Sequence, residues 1–75
     1  LIYYKDVSLD DKDFPMVQYM GLRGFLPEWE ARLDEVIEEQ TLSCWKRLSK
    51  LNIKVQLGVS TRREVLNELY VKMKK

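Results

Sequence analysis

The sequence predicts a mainly α fold: a small three-helix domain over residues 1–75, with a short two-stranded β element, residues 1–4 and 53–57, as an optional addition. Three observations predict it. Thr61-Arg62-Arg63-Glu64 has the form of a capping box, in which the Thr oxygen and the Glu carboxylate satisfy free amides at a helix start. Val65, Leu66, Leu69, Tyr70 and Met73 then repeat as one apolar stripe. Upstream, Phe14, Val17 and Met20 recur at helical spacing behind a run of aspartates.

The first helix is expected over about residues 11–21. Asp10, Asp11 and Asp13 are its N-cap candidates, and Pro15 is tolerable in a first turn. Gly21 or Gly24 closes it, because glycine past a helix end takes the left-handed conformation without a Cβ clash.

Residues 25–52 admit two readings. Trp29, Leu33, Val36, Ile37, Cys44, Leu48 and Leu51 roughly follow a 3.6-residue period, which suits one long helix opening at Pro27. Alternatively residues 25–37 form an ordered loop, and the helix starts near Glu38 with Leu42, Trp45 and Leu48 on its inner face. Cys44, beside them, is expected to be a buried small apolar group.

Ile53-Lys54-Val55-Gln56-Leu57 alternates apolar and polar residues before Gly58, the pattern of a half-buried strand. Its partner is Leu1-Ile2-Tyr3-Tyr4 or a second copy of the chain, since an unpaired apolar edge invites strand addition. In the last helix Lys72, Lys74 and Lys75 suit the negative end of the dipole.

With 75 residues the core is thin, and the usual staples are missing. Cys44 is the lone cysteine and there is no histidine, so neither an internal disulfide nor a common zinc site is available. Docking to a parent chain or to a second copy as a homodimer is therefore expected. The chain opens at Leu1 without a leader pattern, which reads as a fragment or C-terminal module of a longer chain. Apolar runs of a few residues fall far short of the roughly 20 that span a bilayer, so no membrane insertion is expected.

The net charge of +1 conceals an asymmetry. Residues 1–40 hold four basic side chains against ten acidic ones, and residues 41–75 hold nine against two. Acidic and basic halves that face each other, within the fold or across a dimer, are the plain explanation. The sharper one is an interaction surface of Lys46, Arg47, Lys50, Lys54, Arg62 and Arg63 for phosphate or acidic polysaccharide. Nucleic acid is disfavoured, because the net charge is near zero and no readout motif is present.

No catalytic constellation is written in the chain. Without histidine a serine triad or a Cys-His dyad is excluded, and the neighbouring carboxylates Glu28/Glu30, Asp34/Glu35 and Glu38/Glu39 read as solvated faces. Asp10-Asp11-Lys12-Asp13 lacks the glycine and distal glutamate of an EF-hand. Gly21-Leu22-Arg23-Gly24 has neither a dinucleotide fingerprint nor a Walker Lys-Ser/Thr. No cofactor, metal or enzymatic activity is expected.

Asp13 to Pro27, DFPMVQYMGLRGFLP, resembles a stretch near the C-terminus of FAD-dependent oxidoreductase-like proteins, some of them xanthan lyase related; Thr41, Leu42 and Trp45 match a following Thr-x-x-x-Trp helix. Asp6-Val7 and Thr61-Arg62-Arg63-Glu64 are similar to the openings and helix starts of S-layer-homology modules. The first resemblance implies an accessory C-terminal module of a flavin-dependent chain, without its redox chemistry. The second implies attachment to cell-wall polysaccharide. Under either, residues 20–35 form a structural joint: Gly21 and Gly24 turn the chain, Arg23 reaches carboxylates of the acidic loop, and Phe25 and Trp29 pin that loop to the helices.

Overall fold

The computed structural model describes residues 1–74; Lys75, expected at the end of the last helix, lies outside them. The fold is mainly α, with three helices among the described residues: α1 (Phe14–Leu22), α2 (Glu39–Ser49) and α3 (Arg62–Met73). The chain divides into two compact units, Leu1–Arg32 and Leu33–Lys75.

The first unit is α1 with the chain wrapped before and after it. Met16, Val17 and Met20 are its buried face, and Pro15 sits in the first turn, where a missing N–H costs nothing. The helix starts three residues later than the sequence suggests, because Asp11 and Asp13 serve a turn instead of a cap. The Asp13 N–H donates to Asp11 Oδ1 at 2.8 Å, and no side chain caps α1.

At its other end the Phe25 N–H donates to Met20 O and the Gly24 N–H to Gly21 O, each at 3.1 Å. These two bonds make a Schellman motif, and Gly24 supplies the required left-handed residue at φ 85°. Phe25 and Met20, which flank the motif, are both buried.

The expected strand at residues 1–4 does not form. Both main-chain groups of Ile2 are taken by one side-chain amide: Gln18 Oε1 accepts from the Ile2 N–H at 2.8 Å, and Gln18 Nε2 donates to Ile2 O. A glutamine on α1 thus stands where a neighbouring strand would. Tyr4, one turn of extended chain further on, is buried, and its hydroxyl donates to Leu26 O at 2.7 Å.

The second unit holds α2, α3 and the segments before each. Residues 25–37 are an ordered loop, so the single long helix is not observed. Local propensity loses because the loop's backbone is committed elsewhere. Leu33 O and Glu35 O accept from the Arg63 and Arg62 N–H groups at 2.7 and 2.9 Å, and the Ile37 N–H donates to Ser60 O at 2.9 Å.

Thr61 completes the start of α3, accepting from the Glu64 N–H while Glu64 Oε1 accepts from the Thr61 N–H. All four amides that a helix N-terminus leaves unpaired are thereby satisfied. Val36 and Thr61 form a single antiparallel bridge.

Residues 53–57 are not a strand either. Ile53 is buried, Lys54 exposed and Val55 half-buried, but Leu57 is exposed, so the expected alternation stops short of it, and among the described residues no second strand lies beside them. The segment instead ends in a turn over Gln56–Ser60, with Gly58 at φ 86°. Leu42, Trp45, Val65, Leu66 and Leu69 supply the buried faces of the two helices, with Leu33, Ile37 and Ile53 buried around them.

Candidate interaction site

The residues expected to form a joint divide into structural and exposed ones. Gly24 is the turn. Gly21 lies inside α1 and serves close approach: a Cβ there would sit 2.6 Å from the Tyr4 hydroxyl. Phe25 is buried and fixes the start of the loop. Arg23 does not reach the acidic loop; its guanidinium stacks 3.5 Å from the Tyr19 ring centroid and donates to Tyr19 O at 3.2 Å.

Trp29 also departs from expectation. The residue is 74% exposed, so its ring is not packed into a core as a pin. Its backbone, in contrast, is fixed. Trp29 O accepts from the Lys5 N–H at 2.9 Å, and the Asp6 carboxylate holds the next turn of loop through the Ala31 and Arg32 N–H groups at 2.8 and 2.7 Å. An indole on an anchored backbone loses little further freedom when it binds, and exposed tryptophan is the side chain most enriched at binding hot spots.

The surroundings are concave. A cleft of about 600 Å³ is lined by Lys5, Pro27, Glu28, Trp29, Glu30 and Arg32. A second, of about 260 Å³ and more apolar, lies on Ile2, Tyr4, Gly21, Leu26 and the same Pro27–Trp29 segment. Two carboxylates and two cations line the larger cleft, and one of each is joined by the exposed Arg32–Glu28 pair at 3.4 Å, worth less than about 1 kcal/mol. Tyr4, between the loop and α1, has its phenol pushed above the usual value by burial.

The expected basic surface is smaller than its sequence set. Arg47, Lys50 and Lys54 are exposed and Lys46 is half-buried. Arg62 is only 5% exposed, with its guanidinium 5.0 Å from the Trp45 ring centroid, so it belongs to the core. Arg63 Nε donates to Asp34 Oδ1 at 3.0 Å. The saturated N-terminus of α3 has no amide left for an anion, which removes that route to phosphate binding.

On α2, Trp45 and Leu42 are buried as expected, but Leu48 is 48% exposed and Cys44 lies on the exposed face. Among the described residues no three His, Cys, Asp or Glu side chains are grouped to hold a metal ion, and no helix is long and apolar enough to cross a membrane. Exposed Trp29 was not legible as such: charged neighbours do not decide it, since Leu33, between Arg32 and Asp34, is buried.

Comparison with family models, with curated proteins and with solved structures finds no match to this chain. The resemblances drawn from its short motifs rest on those motifs alone.

Proposed function

We propose that the chain is a non-catalytic helical interaction module that docks onto a larger protein through Trp29. The supporting observation is the pairing of an exposed indole with a backbone held at Lys5, Asp6 and Ala31. A site that only had to join two segments would bury the ring; this one buries Phe25 and presents Trp29. The resemblance to C-terminal regions of FAD-dependent oxidoreductase-like proteins names the partner: the remainder of such a parent chain.

Titration calorimetry of this segment against the remainder of the reading frame that encodes it tests the proposal. Measurable binding that weakens roughly 30-fold or more in Trp29→Ala, the range of a hot-spot residue, is expected. Absence of binding, or equal affinity for the two proteins, overturns it.

A second reading is favoured by the content of the larger cleft. An aromatic face beside carboxylates and cations suits a sugar ring, and Lys5 and Arg32 suit an acidic polysaccharide. Retention of Trp29-dependent binding on an acidic glycan, lost at high salt, decides for that reading over the first.

A further inference from the structure

We infer that α2 is a self-recognition surface, on which a second copy of this chain packs antiparallel across a two-fold axis near Ser43 and Cys44. The outward face of α2 is unpartnered. Glu39, Gln40, Ser43, Cys44, Arg47 and Leu48 are all exposed, and they fall in rows four residues apart, so they share one side of the helix.

The charges on that helix are sorted by end. Glu38 and Glu39 stand at its start, Arg47 and Lys50 at its finish, and among the described residues none of the four forms an ion pair. They do not pair with each other along the helix, because Glu39 and Arg47 lie eight residues apart, about 12 Å along the axis, beyond any intrahelical pair.

Antiparallel packing of two such helices removes the mismatch. Because the axis passes midway between the acidic and basic ends, Glu38 and Glu39 of one copy fall opposite Arg47 and Lys50 of the other, and the same contacts repeat by symmetry. Parallel packing would set like charges together. The opposed helix dipoles favour the same arrangement. At the centre of the seam Cys44 meets its own counterpart, and Leu48, one turn further on, extends the apolar surface toward the basic end.

This seam differs from the strand pairing that the sequence suggests, since residues 53–57 form no strand. It also uses the second unit, whereas Trp29 belongs to the first. The inference therefore goes beyond the docking function and fails independently of it: Trp29→Ala leaves self-association unchanged.

A charge-exchange experiment on the intact chain tests the seam. One variant carries Glu38→Lys and Glu39→Lys, and the other Arg47→Glu and Lys50→Glu. Sedimentation equilibrium is expected to show concentration-dependent association of the parent, at least tenfold weaker association of each variant alone, and recovery when the two are mixed. Each variant repels itself, but each complements the other.

The parent itself supplies a second measurement. A short-arm bismaleimide, which alkylates one thiol at each end, should join two copies through Cys44 at low salt and much less at high salt. A parent that stays at monomer mass throughout, or a variant mixture that associates no better than its components, overturns the inference. A salt-independent Cys44 cross-link overturns it equally, and this readout holds even where the variants fold poorly.

Discussion

Asp6 and Ala31 lie 25 residues apart in sequence and 2.8 Å apart in space, the Asp6 Oδ1 accepting from the Ala31 N–H. Its second oxygen accepts from the next amide, Arg32, at 2.7 Å. One carboxylate thus satisfies two consecutive donors, a pattern an amide side chain cannot reproduce, because one of its two atoms is itself a donor. Asp6→Ala is expected to cost about 1–2 kcal/mol, since charge-assisted bonds are strong but these are partly exposed to water. Asp6→Asn should cost nearly as much. Urea denaturation measures both, and coincident midpoints for parent and Asp6→Ala would show that other contacts hold the loop.

Gly21 is expected to tolerate no side chain. A Cβ placed 2.6 Å from the Tyr4 hydroxyl must displace a buried group that is bonded to Leu26 O. Gly21→Ala should therefore destabilise by about 1–3 kcal/mol, although alanine is the better helix former. Tyr4→Phe removes the clashing oxygen, so the double variant should lose less than the sum of the two single ones. Strict additivity in thermal melts would place the conflict elsewhere.

Tyr4 gives a pH dependence with a definite sign. Burial raises its phenol pKa in the folded state, so the folded protein holds this proton more tightly than the unfolded chain does. The corresponding stability is complete below the unfolded value of about 10 and falls as pH rises through the higher folded value. Denaturation midpoints should accordingly decline above about pH 10, and more shallowly in Tyr4→Phe. Identical declines in the two proteins would assign alkaline unfolding to other groups.

The two tryptophans should behave oppositely. Trp45 is 2% exposed and Trp29 is 74% exposed. Trp45→Ala is expected to cost about 3–5 kcal/mol, enough to unfold a domain of this size. Trp29→Ala should stay within about 0.5 kcal/mol of the parent. Iodide should quench the fluorescence of Trp29 in a Trp45→Phe protein and spare Trp45 in Trp29→Phe; the reverse pattern would contradict the burial described here.

α3 was legible because its signals are local: Thr61 and Glu64 are three residues apart, and both halves of their capping box form. Gly24 was legible for the same reason, as a left-handed position that a helix end calls for.

Residues 1–4 were misread because their hydrogen-bonding partner is a side chain, Gln18, and no periodicity announces a side chain that mimics a strand. Leu48 and Cys44 were misread because a 3.6-residue period fixes which residues share a face, not how wide the buried stripe is. The site suffered most. Trp29 was identified as important from its setting, but its outward ring depends on Asp6 and Lys5, more than twenty residues away.

Lys50 ends α2 at φ 58° and ψ 24°, a left-handed conformation that glycine adopts freely and a lysine adopts at a penalty of about 1–2 kcal/mol. Lys50→Gly should therefore raise the denaturation midpoint, by an amount near 1 kcal/mol once the greater flexibility of unfolded glycine is subtracted. A melt unchanged by the substitution would mean that the lysine stem recovers the penalty by packing. The chain thus holds a stability reserve at a single surface position, one substitution from being realised, and realising it removes a positive charge from the end of α2 where a second copy would meet it.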